Sequence, residues 1–480
     1  MALKKIDRYI WEIPKEGSML VNARIYSSEE MIKEIVAEEN SEWSTLRQLK
    51  NVACLPGIQK HAIALADCHP GYGAPIGSVA AMDLNEGVVA FGLIGFDLNC
   101  GVRTIKTPLK ISEIEKRKEE LAEALFKKIP AGLGSEGELK LTPQQIDEML
   151  VRGAEYVVGN GYGLREDLEY MELNGKAPNA MPEAVSQRAK QRFYREAGTL
   201  GSGNHYLEVQ YVSEIFDEEI AKAFGLFKDQ ILVSIHCGSR ALGHQIGMDY
   251  INILKRATEK YHIKLLDKEL VSAPIQSEEG QRYIGAINAG MNCAFANRQV
   301  LTHLTREIFS DIFSLDKKEI KTLYDVGHNT AKIEKHKIDG SERNVLVQRK
   351  GSTRGFGPHR DEIPKEYRNA GQPVLVGGTM GTASYILAGT EKGMAECFGS
   401  AVHGAGRKMS RNAAIKKFRG ETIVRELRQK GIIVKAHSWQ GAAEEAPHAY
   451  KDIDTVVNVM HATGINKKIA KLLPVISIKG

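Results

Sequence analysis

The stretch GSVAAMDLNEGVVAFGLIGFDLNCGVR, residues 77–103, decides how the chain is read. Residues 77–81 and 87–91 are short apolar runs suited to strands. They lead into Gly95-Phe96-Asp97-Leu98-Asn99-Cys100-Gly101-Val102-Arg103, where polar side chains sit between glycines that let the backbone turn sharply. Outward from there, residues 9–13 read as a short strand stopped by Pro14, and 205–211, 231–236 and 373–376 as further strands. A helix is expected over 112–128, with Ser112 and Glu115 as a capping box and Ile114, Leu121, Leu125 and Phe126 as its apolar stripe. A second begins at Thr142-Pro143, with Gln145 three residues after the cap. A basic helical stretch follows around 410–430, and the run 132–137 reads as a loop. Strands and helices mix without regular βαβ alternation, so the fold class is α+β rather than a doubly wound sheet.

Composition narrows the class without naming a function. The chain has 480 residues, 42% of them hydrophobic and 26% charged, which excludes disordered and collagen-like proteins. Lys and Arg number 65 against 60 Asp and Glu, so a nucleic-acid footprint has to come from local clustering rather than from the total of +5. The six cysteines form no CxxC pair, which fits a reducing cytoplasm and leaves a thiol available to a metal. The charged start of the chain has no apolar segment behind it, and the longest charge-free stretch is rich in Gly, Thr and Ser, so neither export nor a membrane span is expected.

Five segments gather polar chemistry beside glycine. They hold Asp67, Cys68 and His69; Asp97 and Cys100; Asn204, His205 and Glu208; His236 and Cys237; and Asp325, His328 and Asn329. Asp97 and Cys100, three residues apart around a tight turn, can reach one metal centre together. A thiolate can bridge two metals, and separate histidines can complete each one. Every residue also has a plain structural reading: His236 as a hydrogen-bonded strand end, Cys100 as a small hydrophobe, Asp97 as a turn former. Ligand softness points a Cys–His set to zinc, and a carboxylate admits manganese.

A second group is suited to phosphate. Residues 377–384 and 400–407 offer backbone N–H groups that a nucleotide can approach, although Gly-Thr-Ser runs are commonly tight turns. His403, between Val402 and Gly404 and four residues before Arg407, is placed to attack phosphorus, because neutral imidazole is nucleophilic and guanidinium stabilises phosphate charge. No Walker loop or dinucleotide fingerprint is present. Lys337-Ile338-Asp339-Gly340 matches the lysine nucleotidyl-transfer motif, but without partner motifs it reads as a surface turn. Basic residues cluster at Arg349, Lys350, Arg354, His359 and Arg360, and again at Arg407, Lys408, Arg411, Lys416, Lys417 and Arg419. Both clusters read as either a phosphate-backbone track or a solvated face.

The segments Gly-Phe-Asp-Leu-Asn-Cys-Gly-Val-Arg, Gly-Ser-Gly-Asn-His-Tyr-Leu-Glu-Val, Met-Gly-Thr-Ala-Ser-Tyr and His-Gly-Ala-Gly-Arg-Lys-Met-Ser-Arg, in this order, resemble the RtcB family of GTP-dependent RNA ligases. The resemblance runs from the N-terminal strand to Lys479-Gly480. It implies one large mixed α/β catalytic domain over 1–480, with sheets and helices around a central metal and nucleotide cleft. Cys100 would bridge two Mn²⁺ ions, with His205 and His236 on one and Asp97 and His328 on the other. His403 would be the nucleophile that becomes GMP-linked. The guanine nucleotide would lie against Asn204, His205, Tyr206, Leu207, Glu208, His328, Asn329, Gly377, Gly378, Thr379, Met380, Ser384, Gly404, Ala405, Gly406 and Lys479. Strand alternation sets Asn204 and Glu208 on the face opposite His205, which requires His205 to sit at a bend.

The implied reaction joins an RNA 2′,3′-cyclic phosphate or 3′-phosphate to a 5′-hydroxyl in tRNA splicing and RNA repair. The implied partners are GTP, tRNA halves or other broken RNA, and an archease-like activator, for a cytoplasmic monomer. A dinuclear-metal phosphodiesterase needs the same ligands but no covalent histidine, and an RNA-binding protein needs only the basic segments. This sequence departs from the family pattern at Cys68, Gln348, Gly377 and Ala401-Val402, which stand where Gly, His, Pro and Thr-Cys are usual.

Overall fold

The chain builds a 15-stranded mixed sheet, seen in a computed structural model that describes residues 3–41, 43–132 and 134–480. Eleven strands frame the site and are numbered here in chain order. They are β1 (His61–His69), β2 (Ile76–Asp83), β3 (Gly101–Lys110), β4 (Tyr206–Ile215), β5 (Gln230–Cys237), β6 (Lys321–Ile338), β7 (Ser341–Arg354), β8 (Pro373–Val376), β9 (Ser384–Gly389), β10 (Ser400–Val402) and β11 (Asn466–Lys479). Their order is β1-β2-β7-β6-β3-β5-β4-β11-β9-β8, with β10 on β7, and every one of these pairings is antiparallel. Strands Lys4–Asp7, Ile10–Ile13 and Asn22–Tyr26 extend the β1 edge, and Ile433–Ala436 runs parallel to β11.

The hinge of this sheet is β6. Its first part pairs with β3 as far as Gly327, and from His328 onward it pairs with β7. The irregularity falls at Asn329, whose φ of 64° is the left-handed conformation that Asn tolerates better than most residues. One strand thereby serves two halves of the sheet, and the change of partner occurs at the candidate site.

The helix Glu278–Phe313 is the spine on one side. Every residue from Tyr283 to Thr302 is buried, so it has no solvent face and no amphipathic stripe. Its polar residues bind surrounding loops instead. Asn292 Nδ2 donates to the Leu150 carbonyl at 2.8 Å, and Asn297 Nδ2 to that of Thr199 at 3.0 Å. Arg298 pairs with Asp325 of β6 and donates from Nη1 to the Asn99 and Cys237 carbonyls at 2.8 and 2.9 Å. The helix therefore holds both segments that carry metal-ligand candidates.

The α+β expectation is met, and the expected strands occur with ends shifted by a few residues. The helix expected over 112–128 is broken: Ile111–Ile114 and Lys118–Lys128 are separated by a tighter turn at Glu115–Arg117. Its first turn is capped by Glu113, which accepts from the Lys110 N–H at 2.7 Å, and not by Ser112 with Glu115. The Thr142–Gln145 box forms as expected at the head of Pro143–Arg152. The basic stretch is two helices, Arg411–Lys417 and Gly420–Gln429. Of the expected loop 132–137, Leu133 lies outside the described residues. Lys337-Ile338-Asp339-Gly340 is the β6–β7 hairpin turn, with Asp339 and Gly340 both at positive φ, and Lys337 does not line the site cavity.

Candidate active site

Sheet register explains how distant ligand candidates converge. Tyr206, His236, Val102 and Val326 lie side by side on β4, β5, β3 and β6. One residue further stand Cys237, Gly101 and Gly327, and alternation then returns Cys100 and His328 to the face of His236. The His328 N–H donates to the Cys100 carbonyl at 2.6 Å, which ties the two together. His205 precedes the first residue of β4, so alternation does not bind it, and the turn through Gly201 and Gly203 swings it inward. The bend that the sequence required is there.

Five donors meet. Cys100 Sγ lies 3.3 Å from His205 Nε2 and 3.2 Å from His236 Nε2. His205 Nε2 is 2.9 Å from Asp97 Oδ2, and the Nε2 atoms of His236 and His328 are 3.4 Å apart. The set divides into Cys100, His236 and His328, and Asp97, Cys100 and His205, with the thiol common to both. Cys100 Sγ faces both His205 and His236, the two histidines expected to share an ion with it, and Asp97 and His328 complete the five. His236 on β5 and His328 on β6 stand on either side of β3, and His205 lies beside Asp97.

The cluster has the chemistry of a metal site. Burial holds His236 and His328 well below the usual imidazole range, in their neutral, ligating form. His236 Nδ1 faces the Asn204 carbonyl at 3.0 Å and must donate to it, so its Nε2 lone pair points at Cys100 and His328. His205 Nδ1 is turned in the same way to the Leu200 carbonyl at 3.0 Å. Burial opposes ionisation of Asp97, but its neighbours, His205 and Cys100 first among them, bring its carboxyl down to about 2. Its Oδ1 also accepts from the Ser239 N–H at 3.1 Å, at the N-terminus of helix Arg240–Lys260. Lone pairs and a carboxylate facing one another are the arrangement a cation resolves, and buried His328 Nδ1 has no partner among the described residues.

His403 adjoins the cluster, with its ring centroid 4.8 Å from that of His328. A single oxygen, Asp67 Oδ2, accepts from the His403 backbone N–H at 3.0 Å and lies 2.7 Å from ring Nδ1. A carboxylate oxygen only accepts, so Nδ1 carries the proton and Nε2 keeps its lone pair. Asp67 is fully buried at the end of β1. Sequence reading named Asp67 beside His69 but gave it no task; its 336-residue separation from His403 hides the pairing. Gly406, at φ 73°, lies so close that a Cβ would come 2.1 Å from the Asp67 carbonyl.

A cavity of about 350 Å³ opens beside His403. It is lined by Asp97, Cys100, His236 and His328 and by Asn204, Tyr206, Glu208, Asn329, Gly377, Gly378, Thr379, Met380, Gly404, Ala405, Gly406 and Lys479. The 377–380 and 403–406 segments are joined by the Gly377 N–H to the His403 carbonyl at 3.3 Å and the Ala405 N–H to the Gly377 carbonyl at 3.2 Å. A Cβ at Gly377 would come 2.5 Å from Tyr206 Oη, so glycine there makes room for the phenol. Glu208 is pushed up to about 7 by burial, against the pull of Lys479, Ser477 and Gln210. Burial likewise lowers Lys479, whose ammonium sits 5.8 Å from the Tyr206 ring. Asn329 is clamped, donating to the Asp97 carbonyl at 3.0 Å and accepting from the Gly351 N–H at 2.8 Å.

Three of the expected nucleotide contacts, His205, Leu207 and Ser384, are not among the residues that line this cavity. Leu207 points into the core on the opposite face of β4, as strand alternation demands. Ser384 lies behind the loop, where its hydroxyl accepts from the Gly378 N–H at 3.1 Å. The first basic cluster is also largely internal. Arg349 is buried in a two-pronged pair with Glu334, and Arg354 in a pair with Glu172. Only Lys350 of that group reaches the cavity, held by the Tyr72 and Gly92 carbonyls and lowered by burial to about 7. The second cluster remains outside, with Lys408, Arg411, Lys416, Lys417 and Arg419 exposed. Gln348 spans the edge strand Val88–Ala90, accepting from the Ala90 N–H at 2.9 Å and donating to the Val88 carbonyl at 3.0 Å. Cys68, Ala401 and Val402 are buried in the core.

The family model described as tRNA-splicing ligase RtcB matches residues 48–480. A relative from Thermococcus kodakarensis, named tRNA-splicing ligase RtcB, is 49% identical over 100% of this chain and 99% of its own length. Relatives of the same name from Methanococcus maripaludis and Archaeoglobus fulgidus are 48% and 47% identical, again over 100% of this chain and 99% of theirs. A match of this extent, on a fold that brings the distant motifs to one cavity, makes the chain a member of the RtcB family of tRNA-splicing ligases.

Proposed function

We propose that the chain is a GTP-dependent RNA ligase that seals 2′,3′-cyclic phosphate or 3′-phosphate RNA ends to 5′-hydroxyl ends through a guanylylated His403. The observation that carries this is the fixed tautomer of His403: its proton is held at Nδ1 by Asp67, and its nucleophilic Nε2 borders a nucleotide-sized cavity next to the donor cluster.

Nε2 of His403 attacks the α-phosphorus of GTP, an N–P bond forms, and pyrophosphate leaves. The guanylyl group passes to the RNA 3′-phosphate, which arises from the cyclic phosphate by hydrolysis. Attack of the 5′-hydroxyl then makes the 3′,5′-phosphodiester and releases GMP. Glu208 is placed to accept hydrogen bonds from guanine, with Lys479 beside it. The 377–380 and 404–406 segments would offer their N–H groups to the phosphates. Cys100 with His205 and His236 would hold one Mn²⁺, and Cys100 with Asp97 and His328 the other. When bound, the ions offset charge on the phosphates. No observation favours the hydrolase alternative.

The test is incubation with GTP and Mn²⁺ followed by intact-mass measurement. One GMP adduct is expected, lost in His403→Ala and retained in Lys337→Ala. No adduct in the native chain, or one that survives His403→Ala, refutes the proposal.

A further inference from the structure

A second cavity, of about 540 Å³, adjoins the first and shares His69, Ile76, Arg407 and Arg411 with it. RNA ends must approach His403 from beside the bound nucleotide, and this second cavity shares a wall with the catalytic one. The inference rests on the ligase reading.

The lining of the second cavity is specific in chemistry. Trp43, one of three tryptophans in the chain, lines it and is 49% exposed. Lys408 is exposed and has no carboxylate partner among the described residues. Arg411 reaches Glu444 at 2.9 Å with its side chain still 57% exposed. The basic helix Arg411–Lys417 then carries positive charge away from the cavity through exposed Lys416 and Lys417. Glu34 and Glu38 on the remaining wall are acceptors, suited to the amino groups of a base or to ribose hydroxyls rather than to phosphate. An aromatic platform, cations on one side and acceptors on the other are what a single-stranded nucleotide uses, and a protein or lipid ligand has no need of that combination.

We propose that this cavity is an RNA-end subsite, in which the base of a nucleotide near the reacting end stacks on Trp43 while its phosphodiester lies against Lys408 and Arg411. Strands ending in 3′-phosphate and strands beginning with 5′-hydroxyl share this chemistry. The experiment separates them.

With Trp11 and Trp439 replaced by phenylalanine, Trp43 is the sole indole fluorophore. Oligoribonucleotides bearing a 3′-phosphate, or a 5′-hydroxyl with a blocked 3′ end, are titrated separately. Quenching by one assigns the subsite to that strand; quenching by neither overturns the proposal. In steady-state ligation, Trp43→Ala is expected to raise the KM for the quenching strand roughly tenfold or more, the scale of one lost base–aromatic stack, and Trp43→Phe to recover most of it. The rate of GMP-adduct formation from GTP should be unchanged in both variants, which controls for folding. An unchanged KM in Trp43→Ala overturns the proposal. A native chain that forms no adduct would instead defeat the ligase reading, so the two failures are distinguishable.

Discussion

The sharpest prediction concerns Asp67, a positioning residue that acts through His403. One oxygen accepts from both the backbone N–H, at 3.0 Å, and ring Nδ1, at 2.7 Å, of the same residue. In Asp67→Asn the backbone N–H still demands an acceptor there, so the amide oxygen takes the place of Oδ2 and the ring orientation persists. What is lost is the negative charge. Hydrogen bonds to charged partners contribute about 1.5–3 kcal/mol and neutral ones about 0.5–1.5, a difference of about 1–1.5 kcal/mol. At about 1.4 kcal/mol per decade, guanylylation should slow roughly tenfold. Asp67→Ala removes the charge, the ring anchor and the backbone anchor together, and two lost charge-assisted bonds of about 1.5 kcal/mol each correspond to roughly 100-fold. The assay is a single-turnover burst with saturating GTP and Mn²⁺, read by intact mass and normalised to folded protein from thermal melts. Both variants within threefold of the native rate would refute the orienting role. Asp67→Asn slower than Asp67→Ala would refute the tautomer argument, since it would place the amide nitrogen against the ring.

Other outcomes follow from the same geometry. Because Glu208 is raised to about 7, it is largely protonated at pH 6 and largely ionised at pH 8. If the carboxylate binds guanine, GTP affinity rises up to about tenfold over that interval, and a flat calorimetric profile, or one unchanged in Glu208→Gln, would contradict this. Cys100 is common to both donor triads, so Cys100→Ala should empty both sites, whereas His205→Ala should empty one; elemental analysis after dialysis against Mn²⁺ decides, and two ions retained in Cys100→Ala would show that the thiol is not shared. Glu334→Ala leaves buried Arg349 without its carboxylate, which should cost about 3–5 kcal/mol in denaturant melts. RNA affinity below the melting transition should be unchanged, and a loss of RNA affinity without loss of stability would restore Arg349 to the phosphate track.

The limits of sequence reading here have physical causes. Gly-flanked ligand motifs were legible because sharp turns need glycine, and the Thr142–Gln145 cap because capping is local. The helix Glu278–Phe313 was not, since a helix buried on all sides shows no polar–apolar period: Gly285, Ala289 and Gly290 pack as closely as Ile287 and Met291. The basic run at 349–354 stayed open between two readings for a related reason. Charge along a chain does not reveal whether the carboxylate lies in solvent or 15 residues upstream across a hairpin, as Glu334 does for Arg349. The convergence of Cys100, His236 and His328 was likewise set by sheet register, which the local spacing of Asp97 and Cys100 does not encode.

Register also explains why the site lies where it does. A sheet whose strands pair throughout offers its ends only edge loops, which move. Here β6 leaves β3 after Gly327 and joins β7, so at His328 the backbone must bend while both neighbours remain paired. The bend frees the face on which Cys100, His236 and His328 meet, yet it cannot relax. The Asn99 N–H donates to the Asn329 carbonyl at 3.1 Å, and Asn329 joins the Asp97 and Gly351 backbones. From beneath, Arg298 holds the carbonyls next to Cys100 and His236, and is itself fixed by Asp325, one turn of strand before His328. Buried charges are costly, but a satisfied Arg–Asp pair in a dry interior has few alternative geometries. Neutral imidazoles, a thiol and a carboxylate hold one another only weakly without a cation, so the scaffold has to keep them in place before any ion binds. The long buried helix and the change of strand partner do that together, which ties the least legible parts of the sequence to its most legible motifs.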